Sequence, residues 1–561
     1  MVNLNRRHFL TAGLGTVAVV GLAACQQTPG TQTSGSPTVE KPALPPTAWV
    51  RADAADVAEG GTLRLSITSM IAQLNGNHPD GNEVGVADMR APMGAGFAQK
   101  ASESGEVSVN PDYLIEAKLT SESPQIVTVK MNPKAVWDDG TPINFANLAA
   151  YAEAMSGKNK DFRVTSTQGW QQIKEAKQTT DEFTGELHFD PPLADWIAYT
   201  YPDLPTAACK DAKLFNEGYL GKFPPSCGPF KPKSMDNSVV TLERNDKWWG
   251  EKAKLDTIIF KVVTQQQAPS AFGNSEIDAI DVPNGDIYAT AKKRADAEIL
   301  KSLGLSWSHA TLNTGSGALA DLEVRRAMAY AINREIIAQA VIGPLEAPVV
   351  LMNNVVYMPG QAGYEDSWGG QVKHDTAKAE EILKAAGYVK GADGVLAKDG
   401  KALSFKIVVP AEVKSNADRA AQMQKDLNGV GFKIELQTVP SDKYFSDYIV
   451  AKSYDMATFG WRGTVFPITP GINLFSPKES EQNFTNWSDP KADSEGKQAI
   501  EMFDPAQRTK HAQEFSKIVM NAFPVIPFYA TPNVVAIKKG LVNYGPSQFE
   551  STNWSIVGFK K

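Results

Sequence analysis

Between Leu322 and Pro467 the apolar residues switch repeatedly between helix spacing and strand spacing, and that alternation limits the folds open to the chain. Leu322, Val324, Ala327, Met328, Ala331, Ile332 and Ile336 keep near-helical spacing. Helix Thr376–Ala386, strand Leu403–Val409, helix Ala417–Leu427 and strand Lys433–Thr438 follow, and Tyr454–Pro467 opens as the next strand. Such an order predicts a parallel α/β lobe. Outside this interval the chain reads differently. Gly61–Ile67 alternates as an opening strand, Gln125–Met131 and Thr257–Val263 read as strands, and Asn144–Met155 reads as a helix. Strand material thus precedes about residue 319 and returns after about residue 524. The expected architecture is two lobes, the first split by the second.

A chain of 561 residues is long enough for that body. Its formal charge of −7 includes two arginines and no acids in the first 24 residues, which leaves −9 for the remainder. No basic stripe appears, so a nucleic-acid partner is not expected. Asn5-Arg6-Arg7-His8-Phe9-Leu10 is a twin-arginine type export sequence, and the general secretory route stays open beside it. The apolar run Thr11–Ala24 is shorter than the ~20 residues of a membrane-spanning helix. It ends in Leu22-Ala23-Ala24-Cys25, which looks like a lipobox whose cysteine receives diacylglycerol. Gln26–Pro46, rich in Gln, Thr, Ser, Gly and Pro, reads as a tether. These features predict a lipid anchor at Cys25 on the extracytoplasmic face. In that compartment Cys209 and Cys227 are expected to form a disulfide, with two buried free thiols as the alternative.

Catalytic and metal-binding patterns are scarce. The six histidines never approach ligand spacing, no cysteine pair has zinc spacing, and there is no G-x-S-x-G elbow. Neither an enzyme, a metal nor a cofactor is expected. Gly315-Ser316-Gly317-Ala318-Leu319-Ala320 matches the form of a dinucleotide fingerprint, with Glu335 at 20 residues beyond Gly315. That acid falls inside a helical pattern rather than at a strand end, and no Val/Ile run precedes the glycines. A crossover between lobes explains them better.

Several segments occur together in a telling order: Val136-Trp137-Asp138-Asp139-Gly140-Thr141-Pro142, Gly228-Pro229-Phe230, Leu242-Glu243-Arg244-Asn245, Glu276-Ile277-Asp278, Val324–Ala327 with Ala331–Arg334, and Ala379–Tyr388. With the lipobox they resemble the family 5 extracellular solute-binding proteins of ABC importers, the oligopeptide and dipeptide receptors. The resemblance runs from about Gly60 to the C-terminus. It implies an α/β, two-lobe fold of the class II periplasmic-binding type with an extra subdomain inserted in lobe I. The expected limits are a signal peptide over 1–24, the lipidated cysteine and tether over 25–58, and lobe I over 59–318 with its insertion at about 105–210. Lobe II then covers 319–523, and 524–561 return to lobe I. The resemblance also implies a monomer that captures a peptide or other polar solute and docks on permease subunits.

Tyr454–Pro467 aligns with the family's pocket strand, typically G-W-x-x-D, whose aspartate holds a peptide's ammonium group. Thr464 stands at that place, and Arg462 brings the opposite charge. Trp461 is expected to stack on the ligand or, alternatively, to be a core residue. Arg462 is expected to pair with a carboxylate or phosphate, or else with a nearby surface acid. Gly463, Thr464 and Asn75 are also expected at the ligand, Thr464 and Asn75 through hydrogen bonds, with Leu74–Pro79 facing this stretch across the cleft. Gly-Trp-Arg and the divergent Leu74–Pro79 loop are more similar to an actinobacterial branch, which includes a mycobacterial lipoprotein acting in lipoglycan synthesis. A regulator of envelope synthesis without transport is therefore the alternative function.

Overall fold

The computed structural model describes residues 44–94, 98–411 and 413–561. The twin-arginine sequence, Cys25 and most of the tether lie outside the described residues.

Strand β1 (Thr62–Ile67) turns Leu63, Leu65 and Ile67 inward, as its alternation predicts. Helix α1 (Val84–Arg90) follows. Four antiparallel strands come next: β2 (Leu114–Glu122), β3 (Gln125–Met131), β4 (Ile173–Gln178) and β5 (Thr184–Phe189), in the spatial order β2-β3-β5-β4. They carry helix α2 (Phe145–Met155), capped by the Asn144 side chain, which accepts from Asn147 N–H. Strands β6 (Phe230–Met235), β7 (Val239–Arg244) and β8 (Thr257–Val262) then complete the first sheet in the order β1-β8-β7-β6.

The remaining main strands form one six-stranded sheet. They are β9 (Ala279–Asp281), β10 (Ala297–Leu312), β11 (Ser404–Pro410), β12 (Lys433–Val439), β13 (Met456–Arg462) and β14 (Val525–Lys538), in the order β9-β14-β10-β13-β11-β12. The α/β alternation holds where β11 runs parallel to β12 and β13. The sheet as a whole is mixed, because β10 is antiparallel to both β13 and β14. Strand β10 escapes a period-two reading because its second half, through Ser308, His309 and Thr311, is buried on both faces. It also settles the fingerprint: the element before Gly315 is an antiparallel strand, not the parallel strand a dinucleotide site requires.

The long strands β10 and β14 belong to two cores at once. Leu300, Val535 and Ile537 pack with Leu63, Leu65 and Phe260 of the first sheet. Trp307, Ala310, Leu312 and Val525–Ala530 pack with the helices around the second. Between these halves the β10–β14 register breaks at Ser302/Ser306. Gly304 sits in the break, where a Cβ would lie 2.1 Å from Thr531 O, so no other residue fits.

Two expectations change here. Residues 45–57, read as tether, are docked on the body. Leu303 N–H donates to Pro45 O at 2.9 Å, Gln548 N–H to Pro46 O at 2.7 Å, and Trp49 Nε1–H to Gly545 O at 2.7 Å. The second concerns Cys209 and Cys227, which are free thiols rather than a disulfide. Cys209 packs with Tyr151, Phe215 and Tyr219, whereas Cys227 packs with Tyr113, Trp137 and Leu148 in a different cluster. Burial pushes the Cys209 thiol up to about 12 and raises Cys227 as well, so neither forms a reactive thiolate.

Candidate ligand-binding site

Strand β13 leaves the core as it approaches the cleft. Met456 through Phe459 are buried, Gly460 is exposed, Trp461 is half-buried and Arg462 is exposed. Side chains alternate along a strand, so neighbouring Trp461 and Arg462 part company. Trp461 stacks on His309, with ring centroids 3.9 Å apart and planes at 22°, and meets Phe459 and Phe475 edge-on. Burial and the Arg419 guanidinium hold the His309 imidazole well below its ordinary range, so Trp461 rests on a neutral ring. Trp461 is thus built into an aromatic cluster, at least on the face that His309 covers.

Arg462 instead lines a cavity of about 550 Å³ between the two cores, a volume in the ~300–1,000 Å³ range of small-solute sites. The same cavity is lined by Asp88 from α1 and Asp281 from β9, with Trp49, Tyr544 and Trp554. Among the described residues none of these three charged side chains has an ion-pair or hydrogen-bond partner, so the expected salt bridge of Arg462 to a surface acid does not form. Both residues are exposed by surface area, yet protein packs densely enough around their carboxyl groups to disfavour the charge. That environment, together with Asp281, pushes Asp88 up to about 6 against the opposing pull of Arg462. Desolvation likewise raises Asp281, and Arg462 again opposes it. The charges sense one another across the cavity without joining.

The other expected contacts have internal duties. Thr464 Oγ1 donates to Phe466 O at 2.9 Å and accepts from Phe466 N–H, so it closes its own turn. Gly463 N–H donates to Leu305 O at 2.7 Å, and a Cβ there would press on Met358. Asn75 is fully buried: its Nδ2 donates to Phe215 O at 3.0 Å, and its Oδ1 accepts from Asn77 N–H at 3.0 Å. It is a loop staple and not a ligand contact. Nor does Leu74–Pro79 face Arg462; Gly76 and Asn77 line a separate cavity with Arg90 and Asp203.

Asp88 and Asp281 were missed from the sequence. Asp281 did leave a signal, as an acid inside the apolar run Ala279-Ile280-Asp281-Val282. Its neighbour Asp278 points the other way and accepts from Arg64 N–H at 2.8 Å. Asp88 lies on the exposed side of a helix whose Met89 and Arg90 turn inward, a placement indistinguishable from ordinary surface charge.

The model of the bacterial extracellular solute-binding proteins, family 5, matches residues 111–483, about two thirds of the chain. The chain belongs to this family. The oligopeptide-binding protein OppA of Mycobacterium tuberculosis is 30% identical over 554 residues, covering 97% of this chain and 93% of that protein. LpqW of the same species, the probable monoacyl phosphatidylinositol tetramannoside-binding protein, is 22% identical over 391 residues, 63% of this chain and 60% of its own. The likeness to the actinobacterial branch is therefore found. Among solved structures, the periplasmic EDTA-binding protein EppA superposes with a TM-score of 0.83 at 24% identity, covering 94% of this chain and all of that one. The two-lobe family 5 fold is thus shared, and a solute-binding role goes with the family. Among the described residues no group of three potential ligands could hold a metal, and no helix is long and apolar enough to cross a membrane.

Proposed function

We propose that this family 5 protein is a lipid-anchored extracytoplasmic receptor that captures a peptide or similar polar solute between its lobes and presents it to an ABC permease. The observation that carries the reading is the cavity that Arg462, Asp88 and Asp281 line together without ion-pair or hydrogen-bond partners among the described residues. Desolvation already disfavours the charge of the two carboxylates, and a polar ligand can offset that cost. Two strands shared by both cores, with a register break at Gly304, supply a place where the lobes can rotate. The lobe limits are assigned accordingly, with lobe I on the β1 sheet and lobe II on the β11–β13 side. The lipobox at Cys25 supports the anchor, and the 30% identity to OppA supports the peptide.

Native mass spectrometry of gently purified protein tests the reading. The expected result is an adduct in the mass range of a short peptide, lost on denaturation. Bare protein that also shows no thermal shift with a peptide mixture overturns it, because a ligand well above its Kd must stabilise the folded state. The likeness to LpqW favours a second reading, a scaffold in envelope lipoglycan synthesis. A deletion strain with altered lipoglycans and undiminished peptide uptake selects that alternative.

A further inference from the structure

The register break at Gly304 and the turn that follows Arg462 are joined by more than the strand pairing between them. Leu305 O, next to Gly304, accepts from Gly463 N–H at 2.7 Å. One residue on, Thr464 O accepts from Gln361 Nε2–H at 3.1 Å, and Gln361 Oε1 accepts from Met358 N–H at 2.7 Å. The Met358 side chain packs against Gly463, where a Cβ would come within 3.0 Å of it. Pro359 O then accepts from Gln548 Nε2–H at 2.7 Å, and the same nitrogen donates to Gly304 O at 3.0 Å. These bonds form a ring. It leaves β10 at Leu305, passes through residues 463–464 and 358–361, and returns to β10 at Gly304.

Gln548 closes the ring from a distant part of the chain. It is 3% exposed, and both hydrogens of its amide are used, while Oε1 is buried without a partner. A flipped amide would set Oε1 against two carbonyl oxygens, so these acceptors fix the orientation and the idle oxygen is tolerated. Gly360 makes room for the grip: its φ is +99°, and a Cβ there would lie 2.6 Å from Gln548 Oε1. We infer that Gln548 is a positioning residue for capture, whose amide ties residues 358–361 to the register break so that the Arg462 turn moves with the hinge as one piece. The inference rests on the receptor reading, which supplies the hinge at Gly304 and the role of Arg462. Without the tie Arg462 would stand at the free end of β13. With it, rotation at Gly304 carries the guanidinium along a defined path.

Hydrogen exchange of the full chain, read by mass spectrometry without ligand, tests the tie in Gln548→Met. Methionine keeps the length and bulk of the side chain and deletes both donors. The expected result is about tenfold faster exchange in peptides covering 303–307, 358–364 and 460–466, with β11 and β12 at wild-type rates. Wild-type rates at 460–466 overturn the inference, because Gln548 then only fills space. Uniform acceleration, β11 and β12 included, overturns it too, since it reports a general loss of stability. Should Gln548→Met fail to fold, Gln361→Ala opens the ring at a half-buried residue and decides alone. Faster exchange at both 303–307 and 460–466 supports the ring, and acceleration confined to 358–364 overturns it. The service to capture is read from the thermal shift with the peptide mixture, which should shrink in the folded variant; an undiminished shift overturns that role. A wild-type protein with no shift overturns the receptor reading itself and the capture role with it, whatever the exchange pattern.

Discussion

Two places in this molecule set an aspartate against an arginine across the boundary between its cores, and they end differently. Asp195 follows the β2–β5 subdomain and is buried. It accepts from Thr469 Oγ1 at 2.6 Å and pairs with Arg508 at 2.7 Å, and beside it Ala194 N–H donates to Ile500 O at 2.9 Å. Asp281 and Asp88 line an open cavity with Arg462 and form no ion pair with it among the described residues. The chemistry of the pairs is the same. What differs is the neighbourhood: Asp195 has a hydroxyl and a guanidinium within reach and water excluded, so its charge is spent on the fold. The cleft acids form no ion pair with Arg462 among the described residues, and their charge stays available.

Substitutions should separate the two. Asp195→Ala leaves Arg508 partly buried without its counter-ion, so chemical denaturation should show a loss of about 3–5 kcal/mol. A loss below about 1 kcal/mol would mean that the two sites are alike after all. At the other site Arg462→Ala should weaken a carboxylate-bearing tripeptide about tenfold in calorimetry. Because Arg462 is exposed and unpaired, stability should stay within about 0.5 kcal/mol. Asp281→Asn should leave the ligand-free protein equally stable or more so, since its carboxylate is held above the ordinary range.

A pH series sharpens the contrast. Asp88 sits at about 6 in the folded protein and near 3.9 when unfolded, so the folded state binds more protons between those values. Its contribution to stability is therefore present at low pH and declines as pH rises through about 4 to 6. Asp88→Asn should flatten that decline when stability is followed by chemical denaturation. The smallest effect is expected at the cysteines. Reductant should not shift the melting temperature, and alkylation of Cys209 and Cys227 should require unfolding; a reductant-dependent shift would restore the disulfide.

The legibility of this chain follows the same division. Segments with one buried face announced themselves: β1 by alternation, α2 by its Asn144 cap, and β11 and β12 by their order with the helices. Strand β10 did not, because burial on both faces removes the period. Arg462 could be picked out as a charge at the end of a buried strand, whereas its neighbour Trp461 read equally as a ligand platform or a core residue. Only the pleat separates them. Asn75 looked like a binding residue because turn-forming loops often bind ligands, whereas here its Oδ1 is committed to Asn77 of the loop and its Nδ2 to Phe215 O. The acids opposite Arg462 required the three-dimensional approach of residues 88, 281 and 462, which no local pattern encodes.

The docking of residues 45–57 has a mechanical consequence. Pro45 and Pro46 join the body at Leu303 and Gln548, and Gln548 Nε2–H in turn donates to Gly304 O at 3.0 Å. A tension applied from the N-terminal side would thus enter the molecule beside the register break. Such a pull would load strands β10 and β14, which both cores share, before it reached the cavity residues.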